Sequence, residues 1–373
     1  MQKKKRTTIK DIAEAAGVSL GTVHLALNNK KGIRGETKEK VLQVARQLEY
    51  QPNYAASMLK RKTLHIVGCF PDVSGDNRFY YPQVWRGFLD AAEDASRNFP
   101  QLEWQACVYD AFGEGEGNSS PDISGRMRNR ISVEELLGRL ENGEIDGLVT
   151  DGNNFLFPDN LPRYTKLGTA VALTDTDVPD SGRITCVCAD YDMIGRTMAE
   201  IIMDRIPPFG SIFMCAGIEK FRSHYGIEHG FDAFMRENHY DNRIYKEHSN
   251  QISEENYEAV LNYVRQPDIA AVCCVSSRSS VMMKRALIES GKAGKVVAIG
   301  SDLFAENNDA LRRGIFQNLI QKNPYAQSWL ATKYLLEYLT KDIRPKEVNT
   351  IGCGVIYRST LPYYEKQHIL FNY

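Results

Sequence analysis

Residues 8–28 read TIKDIAEAAGVSLGTVHLALN, and this stretch decides how the front of the chain folds. Ile9, Ile12, Ala13 and Ala16 recur at helical spacing and make one apolar face. Thr8 stands where a helix cap is needed, with Asp11 three positions on, near the positive end of the helix dipole. Gly17 is best able to take the left-handed backbone that ends a helix. Val18 then plugs the space between two helices, and Ser19 offers a hydroxyl cap to the second. In that second helix Val23, Ala26 and Leu27 face inward. Leu20, Gly21, Thr22, His24 and Leu25 are left on or near the outer face. The pattern predicts a helix-turn-helix, whose second helix fits the major groove of DNA.

Charge supports this reading. Residues 1–63 hold 14 Lys and Arg against 5 Asp and Glu, a balance of +9. Residues 64–373 hold 32 against 42, a balance of −10. A whole-chain charge of −1 therefore conceals a basic head on an acidic body. The head can displace counterions from double-stranded DNA, and phosphate repels the body, so one end alone should touch the duplex.

Thr37 to Tyr50 places Val41, Leu42, Ala45 and Leu48 on one helix face, enough to close a three-helix unit. Pro52 biases Gln51 away from helix, and Asn53 can cap a short new helix carrying Ala56, Met58 and Leu59 and ending in Lys60, Arg61 and Lys62. A helix this short is marginal alone in water, so it needs a partner, its twin in a dimer or the DNA.

Together these segments resemble the DNA-binding head of the lactose/galactose repressor (LacI/GalR) family. The matching residues are T-x-x-D-I-A-x-x-A-G-V-S-x-x-T-V from Thr8, Asn28, T-K-x-x-V from Thr37, and Y-x-P-N-x-x-A-x-x-L from Tyr50 to Leu59. The resemblance implies that Thr8, Ser19, Leu20, Gly21, Thr22, His24, Asn28, Tyr50, Asn53, Ala56 and Leu59 form the DNA-binding set. It implies that Ser19, Thr22 and Asn28 contact phosphate or support the helix. It also implies that two hinge helices pair in the minor groove, where Leu59 wedges into a base step. The chain departs from the family's T-V-S-R at Thr22-Val23-His24-Leu25. Leu25 cannot make a bidentate contact to guanine and either touches a thymine methyl or packs. Gly21 stands where a base-reading side chain is usual, so an atypical operator is expected.

Beyond the head, strand-like and helix-like segments alternate, which argues for parallel sheets with helices on both faces. Strands are expected at 64–70, 103–108, 147–150, 169–173, 184–188, 211–216, 270–275, 296–300 and 314–320. Helices are expected at 82–97, 133–141, 193–204, 224–238, 254–264, 279–290, 305–313 and 324–339. The fold class follows: an N-terminal all-α helix-turn-helix head plus an α/β core. The resemblance adds that this core is two-lobed and periplasmic-binding-protein-like, with a small-molecule effector in its cleft. The expected division is 1–52 for the helix-turn-helix domain, 53–63 for the hinge helix and 64–373 for effector binding and dimerisation. A homodimer is expected, with a tetramer left open.

Residues for the cleft are sought at strand ends. Asn77, Arg78, Tyr80 and Tyr81 follow the first strand; the aromatics either stack on a ligand ring or seal the next helix. Asp151 follows Leu148-Val149-Thr150, and Asp190 begins D-x-x-x-x-G with Gly195, resembling the family's step into the second lobe. The family arginine ahead of G-F-x-x-A is absent: Ile227 holds its place before Gly230, and Arg222 or His224 is left to substitute. Ser276 stands where an asparagine is common, Asp302 matches G-x-D, and Gln321 opens Gln-Lys-Asn-Pro. An aspartate among hydroxyls suits polyols, so a carbohydrate is the expected effector, with a purine or other non-sugar ligand as the alternative.

Eight cysteines lie mostly in strand-like runs without a C-x-x-C, as expected of buried thiols, and no histidine stands at metal-ligand spacing. No cofactor or metal is expected. Residues 110–130 read as an inserted surface loop whose GEGEG lacks the Lys-Ser/Thr of a phosphate cradle. No nucleophile elbow, metal set or dinucleotide fingerprint suggests an enzyme. No stretch suggests a membrane span or secretion signal, so a cytoplasmic protein is expected rather than a transport binding protein. If Leu59 wedges between base pairs, Leu59→Ala should lose sequence-specific affinity and keep salt-sensitive non-specific binding. Gel shifts on specific and random duplexes check this, and equal loss on both would mean an unfolded head.

Overall fold

The computed structural model describes residues 7–27, 32–48, 50, 63–110, 121–127, 129–154, 156–157, 160–249 and 251–366. Asn28, Asn53, Ala56, Leu59 and residues 111–120 of the inserted segment lie outside them.

The head is three helices, α1 (Ile9–Ala16), α2 (Leu20–Leu27) and α3 (Gly35–Gln47). Thr8 and Asp11 form a reciprocal capping box, and Gly17 ends α1 at φ 66°. The Ser19 hydroxyl accepts from Thr22 N at 3.1 Å and so caps α2. Ile12, Ala16, Val23, Ala26 and Val41 are buried together. Ile9 departs from the expected apolar face and is 38% exposed. The buried face of α1 starts one turn further on, at Ile12, Ala13 and Ala16. Thr7 ties the chain start to the end of α3 by donating to Leu48 O at 2.8 Å.

The core has two sheets. The first runs in the order β12-β6-β5-β4-β1-β2-β3, all parallel. Its strands are β1 (Leu64–Pro71), β2 (Leu102–Tyr109), β3 (Arg130–Ile131), β4 (Gly147–Asp151), β5 (Ala170–Thr174), β6 (Thr185–Ala189) and β12 (Val348–Ile351). Alternation along β1 sends Ile66 and Phe70 to one face and Val67 and Cys69 to the other. The first face is covered by α4 (Tyr81–Asn98) and α13 (Pro324–Lys341), the second by α6 (Val133–Glu141) and α7 (Leu161–Leu167). A short α5 (Pro121–Arg126) lies between β2 and β3 in the chain.

The second sheet runs β13-β11-β10-β9-β7-β8, parallel except for β13 against β11. Its strands are β7 (Ser211–Cys215), β8 (Ile244–Glu247), β9 (Ile269–Cys274), β10 (Val297–Ser301), β11 (Asn318–Gln321) and β13 (Gly354–Tyr357). On one face lie α8 (Tyr191–Met203) and α9 (Arg222–Glu237). On the other are α10 (Glu254–Arg265), α11 (Ser277–Glu289), α12 (Ala305–Arg312) and α14 (Leu361–Lys366). The strand expected at 314–320 begins only at Asn318, because Gly314 turns the chain at φ 72°. β3, β8, β12 and β13 were absent from the sequence expectation; each has four residues or fewer and stands at a sheet edge.

Two motif glycines owe their place to helix contact. A Cβ on Gly195 in α8 would meet Ile227 O at 1.9 Å, and one on Gly230 in α9 would meet Asp192 O at 2.0 Å. The helices thus touch backbone to backbone. Gly195→Ala should cost about 3 kcal/mol or more through forced separation. Gly138 in α6 is exposed with open space at its Cβ, and Gly138→Ala should add about 0.5–1 kcal/mol. Urea unfolding of both variants checks the contrast.

Candidate functional site

The chain passes between the lobes three times: at Asp190 before α8, at Lys322 and Asn323 before α13, and at Gly352 and Cys353 between β12 and β13. Carboxyl ends of both parallel sheets come together there, the place where open α/β sheets take ligands. They line a cavity of about 170 Å³, room for roughly a dozen waters. From the first lobe come Pro71, Asn77, Tyr80, Tyr81, Tyr109, Asp151, Asn153 and Asp175. From the second come Phe221, Ser223, His224, Ser276, Ser277, Arg278 and Asp302, with Lys322 at the crossover.

The first lobe supplies an acidic wall. Asp151 ends β4, accepting from Tyr81 Oη at 2.9 Å and Asn153 N at 2.7 Å. Asp175 follows β5 with φ 61°, a backbone that Asp tolerates better than most residues. It accepts from Tyr80 Oη at 2.9 Å and from Tyr191 Oη at 2.5 Å, while Asn153 Nδ2 approaches at 3.4 Å. Burial, and then the Asp175 charge, pushes the Asp151 carboxyl up to about 7. Burial also raises the hydroxyls of Tyr80, Tyr81 and Tyr191, which keeps them as protonated donors.

The second lobe presents cations and hydroxyls. Lys322 Nζ lies 2.7 Å from Asp302 Oδ2 and donates to Ser301 Oγ at 2.7 Å and to Val275 O at 3.0 Å. Arg278 reaches across the cleft to Asn77 Oδ1 at 2.7 Å. His224 Nδ1 accepts from Ile218 N at 2.9 Å, so the neutral ring carries its proton on Nε2. Burial, with Lys322 and Arg278 nearby, holds this imidazole down to about 3. Among the described residues no three His, Cys, Asp or Glu side chains group as a metal site.

Of the residues read from strand ends, Asn77, Tyr80, Tyr81, Asp151, His224, Ser276 and Asp302 line the cavity. Four expected there do not. Arg78 is exposed, donating to Gly75 O at 2.6 Å over the Phe79 ring. Arg222 is exposed, because the helical rotation that turns Ser223 and His224 inward turns it out. Asp190 caps α8 by accepting from Met193 N at 3.0 Å. Gln321 accepts from Leu303 N at 3.2 Å, beside the cavity. Asp175, Lys322, Arg278 and Asn153 were not anticipated. An acidic residue just after a strand was the available signal for Asp175.

On the head, Leu20 is 44% exposed, and Ser19, Gly21 and His24 are exposed beside it. Thr22 and Leu25 are half-buried, and the Ser19 and Thr22 hydroxyls bond each other at 2.9 Å. Thr8 is exposed, its hydroxyl held in the capping box. Tyr50 packs against the head core.

Residues 8–53 match the bacterial regulatory proteins of the lacI family, and residues 159–342 match a periplasmic binding protein domain. The chain carries a LacI-family helix-turn-helix head followed by a periplasmic-binding-protein-like domain. The chain is 40% identical over 170 residues to the HTH-type transcriptional regulator RegA of Clostridium acetobutylicum, covering 45% of this chain and 43% of RegA. It thus spans less than half the length of that curated relative. A protein of Bacteroides fragilis assigned as a LacI transcriptional regulator superposes with TM-score 0.66 at 17% identity, over 81% of this chain and 100% of its own. An ABC transporter solute-binding protein of Burkholderia graminis, in complex with D-arabinose, gives TM-score 0.65 at 18% identity, over 81% and 98%. At these identities the two structures establish the fold. Among the described residues no helix is long and apolar enough to cross a membrane.

The raised Asp151 carboxyl has a measurable consequence. Unfolded, an aspartate loses its proton near pH ~4; folded, Asp151 keeps it up to about 7. The native state therefore binds the extra proton between these limits, and its stability falls as pH rises through them. Asp151→Asn should remove that slope, so its stability relative to wild type should grow from pH 5 to pH 7.5. Denaturant titrations at both values check the sign.

Proposed function

We propose that the chain is a DNA-binding transcriptional repressor whose operator affinity is set by a sugar or sugar derivative held between its lobes. The observation that carries this reading is the pairing of an exposed second helix on a basic head with a polar cavity at the interlobe crossovers. The α2 helix leaves Leu20, Gly21 and His24 outward, the face a helix-turn-helix presents to base edges. The cavity offers carboxylates, amides and hydroxyls beside tyrosine rings, a lining suited to a polyol. The D-arabinose-bound solute-binding protein, similar in fold, supports a carbohydrate.

One such head spans a half-site, so the working unit is a homodimer on a near-palindromic duplex, acting in the cytoplasm. Sugar binding changes the angle between lobes at the three crossovers and thereby the spacing of the two heads. Coupling of this kind is worth about 1–3 kcal/mol, or roughly 5–150-fold in operator affinity. Selection from random duplexes with the full chain should return a two-fold symmetric site, bound less tightly as salt rises. A fragment of residues 64–373 should select nothing. Recovery of the same site by that fragment would overturn the assignment of DNA binding to the head. A sugar panel that raises thermal stability but leaves operator affinity unchanged would overturn the coupling.

A further inference from the structure

Asp151 and Asp175 are only 4% and 8% exposed, both line the cavity, and Asn153 touches both. Their polar partners are tyrosine hydroxyls, the Asn153 amide, its backbone N–H and the Thr176 hydroxyl. Among the described residues, neither carboxylate has a Lys, Arg or His nitrogen within 4.0 Å. This is unusual: buried carboxylates are ordinarily paired with a cation, because neutral donors leave much of the desolvation cost standing. Lys322 stands on the other side of the cavity, already paired with Asp302.

The opposite wall carries a second, independent mark of a ligand. His224 is 8% exposed and lines the same cavity. Its Nδ1 is committed to Ile218 N, and its Nε2–H finds no acceptor among the described residues. Because His224 lines the cavity, this N–H is left for an acceptor that occupies the cavity.

Resting on the sugar reading above, we propose that the effector is an amino sugar, its ammonium group received between Asp151 and Asp175 and a ring or hydroxyl oxygen accepting from His224 Nε2–H. The ammonium supplies the positive charge that this wall lacks. Its three N–H donors match carboxylate oxygens that neutral tyrosine donors leave partly unsatisfied. The rings of Tyr80, Tyr81 and Tyr109 line the same space and add cation–π attraction to a desolvated ammonium. A neutral hexose of the same outline would leave two acids competing for hydroxyl protons. An N-acetylated sugar would bring bulk without charge.

Isothermal titration of the full chain at pH 7 tests this with D-glucosamine, D-galactosamine and D-mannosamine, each beside its parent hexose and its N-acetyl derivative, and with putrescine. At least one free amino sugar should bind tenfold or more tighter than its parent hexose and its N-acetyl derivative. Asp175→Asn and Asp151→Asn should each remove that preference and keep cooperative unfolding, because an amide of the same outline replaces a buried acid. His224→Phe should weaken the amino sugar while preserving its preference over the hexose. If parent hexoses bind as tightly as amino sugars, the ammonium assignment is overturned and the sugar reading stands. If putrescine alone binds, and needs Asp175, the amino-sugar proposal is overturned together with the sugar reading, although the acidic wall still receives an amine. If no amine binds more tightly than its neutral counterpart, the proposal is wrong.

Discussion

Lys322 is the residue through which both lobes are tied at the cavity. Its ammonium gathers the ends of two strands, bonding Val275 O after β9, Ser301 Oγ on β10 and the Asp302 carboxylate just beyond. Its own carbonyl accepts from Gln327 Nε2 at 2.8 Å in α13, and Gln327 Oε1 accepts from Asp175 N at 3.1 Å. Asp175 in turn holds Tyr80 from one lobe and Tyr191 from the other. A continuous set of bonds therefore runs from the second sheet, through the crossover, into the acidic wall of the first. Removing either member of the Lys322–Asp302 pair would leave a buried charge uncompensated, at about 3–5 kcal/mol. Asp302 is thus as much a fastening of the crossover as a group lining the cavity.

The constraint extends to the helices that flank the crossovers. Gly195 and Gly230 let α8 lie on α9 without side chains between them, and Gly87 does the same where α4 meets α13, its Cβ position 2.3 Å from Tyr325 O. Such contacts leave little freedom to slide, because any added atom meets backbone and not a yielding side chain. The two lobes are joined by the chain at Asp190, Lys322–Asn323 and Gly352–Cys353. Asn323 holds φ 56° at the middle of these, a position that caps α13 through Ala326 N at 3.1 Å.

Much of this was legible in the sequence, for reasons that can be assigned to particular residues. The head was readable because its signals are local: a cap at Thr8, a turn at Gly17 and apolar spacing over eight residues. Asp151, Ser276 and Asp302 were readable because parallel strands deliver their final residues to one edge. Asp175 was missed since the apolar run ends at Leu173, and only the extra strand residue Thr174 and a left-handed turn bring that carboxylate inward. Lys322 was passed over in favour of Gln321. Neighbouring residues at a strand end point to opposite sides, and family pattern alone does not say which side is the cavity. Arg222 was set beside His224 as an equal candidate because a loop reading ignores the rotation of about 100° per residue once α9 has begun.

Across the cleft mouth the lobes meet through a few modest contacts. Arg278 holds Asn77, Gln83 Nε2 donates to Leu303 O at 2.7 Å, Ile252 N donates to Asp76 Oδ2 at 3.1 Å, and Phe79 lies 4.9 Å from Phe304. Each hydrogen bond of this kind is worth about 0.5–1.5 kcal/mol net, somewhat more where a charge takes part. Their sum is only a few kcal/mol. A ligand shifts the balance between two arrangements of the lobes only by its difference in affinity for the two states. The acidic wall bears on that difference, because Tyr191 of the second lobe donates to Asp175 of the first, so the bonds of one carboxylate span the cleft.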